Sequence, residues 1–366
     1  MKTVLAAERV RAYARKTVSK KKLHSVFSLI TACSAGTVLK TARYRLFRGI
    51  DMKAVLLDKI TEGKDIVLSE CPVPEVKPGW VLIKVKAFGL NHSEQILRLS
   101  EINAPYIKKP VIPGIECVGE VVNPSDTDLK AGQKVIALMG GMGRSFNGSY
   151  AEYALLPRRI VFAVNSELPW EALGAVPETY FTAWGSLFEC LHLTKEDTLL
   201  IRGATCALGY AALQIAKALE IRVIATTHKE EKLSLLAEAN EAVIDDGRLT
   251  GTIRGVTKAL DLIGPRSLKD TLSAVEKGGI VCQTGILGGV YALNGFDPIR
   301  DIPNGVYLTG FFSNYPTGQV IDEIFAFLNE KKTVPVSGKV FDFENIREAL
   351  AAQDEGSVNG KIVVKL

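Results

Sequence analysis

The stretch Leu199-Leu200-Ile201-Arg202-Gly203-Ala204-Thr205-Cys206-Ala207-Leu208-Gly209 restricts the fold more than any other in the chain. An apolar run of strand length stops at Gly203. Six residues later Gly209 opens a helix-like stretch from Tyr210 to Leu219, and a second apolar run, Ile221 to Thr227, follows. Strand, glycine turn, helix and strand in that order are the parts of a unit that holds the pyrophosphate of a dinucleotide. Gly203 permits the tight turn. The helix N-terminus offers unpaired N–H groups and the positive end of its dipole, and Gly209 lets the helix lie close to the strand. The predicted phosphate-binding residues are therefore Gly203, Ala204, Thr205, Cys206, Ala207, Leu208 and Gly209. The middle glycine of the G-x-G-x-x-G pattern is absent from Ala204-Thr205-Cys206-Ala207, so a plain β-turn-α connection that binds nothing is the competing reading.

At 366 residues the chain has room for two domains, each with a core of its own. Its 47% hydrophobic and 23% charged residues are ordinary for a globular protein. No uninterrupted apolar stretch reaches the length of a membrane span. Six cysteines, Cys33, Cys71, Cys117, Cys190, Cys206 and Cys282, are scattered without C-x-x-C spacing, which argues against a cysteine-built zinc site and a disulfide framework and suits a reducing cytoplasm.

The formal charge of +5 is unevenly placed. Residues 1–51 carry twelve Lys or Arg against Glu8 and Asp51, a net of +10, which leaves −5 for residues 52–366. That leader reads as a transit peptide for organellar import, as a basic arm for nucleic acid or a membrane surface, or as an upstream extension outside the functional fold. Met52-Lys53-Ala54-Val55 looks like a natural beginning, so the third reading is preferred: residues 1–51 are expected to be a poorly ordered extension, and no nucleic-acid partner is expected.

From Met52 the chain is β-rich, with runs at 55–57, 81–87, 117–122 and 134–138 separated by Pro/Gly-marked turns. Beyond Trp170, helix-like segments alternate with apolar strands at 222–227, 242–244, 259–263 and 279–285, the pattern of a doubly wound parallel sheet. A last β-run occupies 361–366.

Short motifs run in order along this body: Met52-Lys53-Ala54-Val55, Gly89-Leu90-Asn91, Pro113-Gly114-Ile115-Glu116 with Gly119, and Gly148-Ser149-Tyr150-Ala151-Glu152-Tyr153. Pro177-Glu178-Thr179-Tyr180-Phe181-Thr182-Ala183-Trp184, the Gly203 turn and Asn359-Gly360-Lys361-Ile362-Val363 complete the series. Together they resemble the medium-chain dehydrogenase/reductase superfamily, specifically its zinc-independent quinone oxidoreductase branch. The resemblance implies an α/β protein: a GroES-like β-rich catalytic domain built from 52–180 and 313–366, and a Rossmann NADP-binding domain with a doubly wound parallel sheet at 181–312. The active site would lie in the cleft between them. Homodimerisation is also implied.

Departures from the zinc-dependent alcohol dehydrogenase branch steer the chemistry. Where that branch holds catalytic metal, this chain reads Asn91-His92-Ser93, Gly114-Ile115-Glu116 and Glu178, and Ile115 cannot ligate. The cysteine-rich lobe for structural zinc is absent between Gly119 and Gly148. His92, Glu116 and Glu178 as a remnant metal set, in a zinc-dependent alcohol dehydrogenase-like enzyme, is the alternative. Without a Lewis acid, the reaction expected is hydride transfer to an electron-poor acceptor, a quinone or an α,β-unsaturated carbonyl. By family position Asn91 is expected near nicotinamide and substrate, and Thr182 at the nicotinamide ring. Tyr106 and Tyr180 are candidate hydrogen-bond donors or pocket walls. Gly285 and Ile286 follow a further strand beside the nicotinamide half, and Lys361 sits at a family-typical Gly-Lys near the cofactor.

The second strand of the nucleotide unit ends Ala225-Thr226-Thr227-His228-Lys229, followed by Glu230, Glu231 and Lys232. NAD-specific sites place a carboxylate there, which would repel a 2′-phosphate. Thr226, Thr227, Lys229 and Lys232 favour NADPH, whereas Glu230 and Glu231 oppose it unless they serve as helix N-terminal acids. A crystallin-like or regulatory module that binds NADPH with little turnover is the other competing class.

Overall fold

The computed structural model describes residues 49–366; the expectations attached to the basic leader fall outside the described residues. β1 (Asp51–Val55) pairs antiparallel with β2 (Leu68–Pro72). It takes in only Val55 of the predicted 55–57 run, from which Leu57 makes a lone bridge to Val111. β3 (Trp80–Gly89), β4 (Glu116–Asn123), β5 (Lys134–Leu138) and β7 (Val161–Ala163) form an antiparallel sheet, with β6 (Tyr153–Pro157) beside the first half of β3. Three helices flank this part: α1 (His92–Leu99), α2 (Trp170–Leu173) and α3 (Pro177–Trp184). α3 runs on into a π-helical turn, Gly185–Cys190.

The next segment builds a wholly parallel sheet. Its parts are β8 (Thr198–Arg202), α4 (Ala207–Ala218), β9 (Arg222–Thr227), β10 (Glu241–Ile244), β11 (Lys258–Asp261), α5 (Leu268–Ala274), β12 (Ile280–Gln283), α6 (Pro298–Asp301) and β13 (Tyr307–Gly310). The strand order is β10-β9-β8-β11-β12-β13. Strands covered on both faces lose the polar alternation of a half-exposed strand; Leu199, Leu200 and Ile201, and Val223, Ile224 and Ala225, are all fully buried. α4 covers one face with small side chains, Gly209, Ala211, Ala212 and Ala216, which permit a close approach. The strand order reverses between β8 and β11, and that switch point opens a crevice at their carboxyl ends.

The chain then returns through α7 (Gly318–Lys331), β14 (Ser337–Asp342), α8 (Ile346–Glu355) and β15 (Lys361–Lys365). β15 pairs antiparallel with the end of β3, and β14 lies parallel to β15. The last strand therefore belongs to the first sheet. One apolar core spans both parts: Ala87, Val118, Ile136 and Leu138 of the antiparallel sheet join Leu199 and Ile201 of the parallel one through α3 and α7. The architecture is the GroES-like β-rich part plus Rossmann sheet that the sequence resemblance implied.

Candidate active site

The glycine turn forms as expected, but the helix behind it starts earlier. α4 begins at Ala207 rather than Tyr210 because Cys206 caps it: Sγ accepts from Gly209 N at 3.3 Å and the carbonyl accepts from Tyr210 N at 3.0 Å. Burial pushes the Cys206 thiol up, although the N–H groups of the helix start hold it down in part. Gly203 adopts φ +85°, the left-handed region that favours glycine. A Cβ at Gly209 would meet Ala204 O at 2.4 Å, so helix and turn could not sit this close with any other residue. Thr226 Oγ1 accepts from Gly203 N at 3.1 Å and Thr226 O from Ala204 N at 2.9 Å, which fixes the turn to β9. From the other side, the fully buried Arg202 binds both oxygens of Asp245 at 2.7 and 2.9 Å and Asp270 at 2.9 Å. The strand end that carries the turn is thus locked to the end of β10 and to α5.

Beside the turn lies a cleft of about 480 Å³, the size of a small-molecule site. Asn91, Thr182, Cys206, Ala207, Leu208, Gly285 and Ile286 all line it. Its far wall holds a buried polar cluster drawn from three distant segments. Lys361 Nζ sits 2.6 Å from Glu116 Oε1 and 2.5 Å from Asn91 Oδ1. Asn91 Nδ2 donates to Glu116 Oε1 at 2.8 Å and more weakly to Glu94 Oε1 at 3.3 Å. Glu116 Oε2 accepts from the Glu178 backbone N–H at 2.9 Å. Glu116 and Lys361 are almost wholly removed from solvent.

Glu94 is buried behind Asn91, and burial pushes its carboxyl up to about 7, with Glu116 adding to the rise and the Ile115 N–H and Lys361 opposing it. Its Oε2 and the hydroxyl of the neighbouring buried Tyr150 have no hydrogen-bond partner among the described residues. Glu178 is only partly buried and lines the cleft; its Oε1 accepts from Thr182 Oγ1 at 2.7 Å and Ser313 Oγ at 3.3 Å. Burial and Glu116 raise this carboxyl, while Lys361 and the two hydroxyls partly offset them, for a net rise.

Several expected site residues stand elsewhere. Tyr106 is 63% exposed and donates to Glu101 Oε1 at 2.7 Å, away from the cleft. Tyr180 is buried and donates to Gln214 Oε1 on α4 at 2.5 Å, so its hydroxyl is consumed in helix packing. Neither tyrosine is placed to serve an acceptor in the cleft. Thr226 and Thr227 are buried, Thr226 holding the turn and Thr227 Oγ1 accepting from Lys229 N at 3.4 Å. Of the four residues read as favouring a 2′-phosphate, only Lys229 and Lys232 present a free side chain. Lys361 points into the buried cluster rather than into the cleft. Glu94, Ser313 and the pairing of Lys361 with Glu116 were not anticipated, although Gly114-Ile115-Glu116 and Gly360-Lys361 were the motifs that carried two of the partners.

Residues 77–166 match the alcohol dehydrogenase GroES-like domain family and residues 238–364 the zinc-binding dehydrogenase family. A quinone oxidoreductase from Pongo abelii is 26% identical over 317 residues, covering 81% of this chain and 92% of its own length. An NAD-dependent alcohol dehydrogenase structure superposes with a TM-score of 0.75 at 25% identity, covering 86% of this chain and all of its own. A quinone oxidoreductase from Coxiella burnetii, at 20% identity, shares the fold with a TM-score of 0.73 over 87% of this chain and 100% of its own. The chain belongs to the medium-chain dehydrogenase/reductase superfamily and is an oxidoreductase that uses a nicotinamide cofactor.

Proposed function

We propose that the chain is an NADPH-dependent reductase of quinones or α,β-unsaturated carbonyls that works without catalytic zinc. The observation that carries this reading is the Lys361–Glu116–Asn91 cluster. At the positions where the zinc-dependent branch places its ligands, this chain has an amide, the apolar Ile115 and Glu178, with an ammonium 2.6 Å from Glu116. A cation fixed there by Coulomb attraction and hydrogen bonding opposes a second cation at the same place. Among the described residues no three His, Cys, Asp or Glu side chains converge as a metal set. The donor set does not suit zinc.

The turn does suit a dinucleotide: Gly203 and Gly209 give close backbone approach, and the start of α4, at Cys206, Ala207 and Leu208, brings the positive end of the helix dipole to the switch-point crevice. Thr205 to Leu208 stay partly exposed there. When bound, the reduced nicotinamide supplies a hydride. The protein's own residues orient it. Lys361 and Glu116 hold the Asn91 amide in one pose at the cleft wall, and Thr182 is held by Glu178. Leu90, Ile115, Leu287 and Phe311 keep the rest of the cleft apolar, which suits a planar carbonyl acceptor. NADPH rather than NADH is supported by Lys229 and Lys232 beyond the end of β9, where no carboxylate follows directly.

The second copy of a homodimer fits the outer edge of β13. That strand closes the parallel sheet, and Tyr307, Ile299, Phe312 and Tyr315 are exposed around it at 62%, 90%, 70% and 75%. The five cysteines among the described residues are all free, which suits a reducing compartment such as the cytoplasm. No helix among the described residues is long and apolar enough to cross a membrane. Steady-state oxidation of NADPH and NADH against a panel of quinones, enones and aldehydes tests the activity. Turnover with NADPH and a quinone or enone supports the proposal; tight NADPH binding with no turnover on any acceptor favours the regulatory module instead.

A further inference from the structure

Resting on the reductase reading, we propose that Glu178 is the proton donor of this site, passing a proton from Oε2 to the acceptor. Three titratable side chains line the cleft: His92, Cys206 and Glu178. His92 lies at the exposed rim with Nδ1 bonded to Gln95 Oε1 at 2.8 Å, and Cys206 is committed to capping α4. Glu178 differs from both. Thr182 and Ser313 both donate to its Oε1, and their two hydroxyls fix the carboxyl group from two different segments of the chain. Among the described residues Oε2 has no hydrogen bond, which leaves it as the oxygen available to carry a proton.

The charged groups that face this carboxyl are Glu116 from β4 and Lys361 from β15. The start of α4, the segment after β12 and the 311–313 segment bring no charged side chain to the cleft: their polar members there are Cys206, Thr284 and Ser313. Glu116 and burial outweigh Lys361, so Glu178 keeps its proton to higher pH than an ordinary glutamate.

The balance of the step is simple. Two electrons and one hydrogen reach the β-carbon of an enone as hydride from the reduced nicotinamide, which leaves an enolate. The Oε2–H bond breaks as a new bond to hydrogen forms on that enolate, and Glu178 is left as a carboxylate. Bulk water reaching the partly exposed carboxyl restores the proton. Thr182 and Ser313 are positioning residues in this scheme.

The test compares wild type, Glu178→Gln and Glu178→Asp. Infrared difference spectra of the ligand-free protein across pH read the protonated carboxyl band directly. One band that titrates above the ordinary carboxylate range is expected to vanish in Glu178→Gln and persist in Glu94→Gln. With an α,β-unsaturated ketone, Glu178→Gln is expected to lower kcat by about 100-fold, within the range of general acid catalysis, and to lose the alkaline limb of the pH profile. NADPH affinity, read by tryptophan quenching, is expected to stay within about twofold. Glu178→Asp, which keeps a carboxyl on a shorter stem, is expected to retain the limb with a smaller loss. An active wild type matched by Glu178→Gln in kcat and pH profile overturns the donor role alone. A wild type inactive toward every acceptor overturns the reductase reading and the donor role with it.

Discussion

Replacing Glu94 with glutamine should make the stability of this protein less dependent on pH. Glu94 is 2% exposed and its carboxyl is pushed from 4.5 to about 7, chiefly by burial. Below about pH 4.5 the folded and unfolded chains both hold the proton and the site costs nothing. Between there and about pH 7 the unfolded chain releases the proton while the folded chain keeps it, so stability falls as pH rises. Above 7 the loss is complete and constant. A difference of about 2.5 units corresponds to about 3 kcal/mol, at no more than about 1.4 kcal/mol per pH unit. Glutamine keeps an oxygen to accept the Ile115 N–H, 3.1 Å away, and has no proton to lose. Urea unfolding of wild type and Glu94→Gln followed by tryptophan fluorescence from pH 4.5 to 8 reads the effect. The stability gap should shift by about 3 kcal/mol in favour of the variant across that window. Parallel pH curves for the two proteins would refute the claim that Glu94 is buried in its protonated form.

Lysine 361 should matter more for structure than for cofactor contact. Lys361→Met leaves Glu116 buried without its cation and is expected to cost about 3–5 kcal/mol, partly recovered by adding Glu116→Gln in the double variant. Thermal melts of the three proteins measure this, and no loss in Lys361→Met would contradict the pairing. Removing both Lys229 and Lys232 should weaken NADPH about tenfold, the size of one charge-assisted hydrogen bond, and leave NADH unchanged. Titration with the two cofactors separates these outcomes.

Much of the fold was legible because its signals are local. β8 and β9 read as unbroken apolar runs since both faces of a parallel sheet are covered, and Gly203 and Gly209 mark a turn that only glycine closes at this distance. The helix start was misplaced by three residues because a cysteine side chain, uncommon as a cap, satisfies Gly209 N. The Glu94–Glu116–Lys361 cluster was not legible, since its partners lie 25 and 270 residues from Asn91 and meet only when β15 returns to β3. The two tyrosines failed for a related reason: sequence position does not say where a phenol hydroxyl points, and Tyr180 finds Gln214 across a helix pair. Glu116 and Glu178 stand in the sequence as remnant metal positions, yet what they do depends on Lys361 and Ser313, which tertiary packing alone brings within reach; Thr182, one helical turn after Glu178, is a local partner.

The central claim is that this site reduces its acceptor with a nicotinamide and without a metal. Full-length protein treated with a strong chelator, dialysed, assayed for quinone-dependent NADPH oxidation and measured for zinc content on the same sample tests it most directly. Undiminished turnover at a small fraction of one zinc per chain is the result expected. One tightly held zinc per chain, with activity lost on chelation and restored by zinc alone, would contradict it.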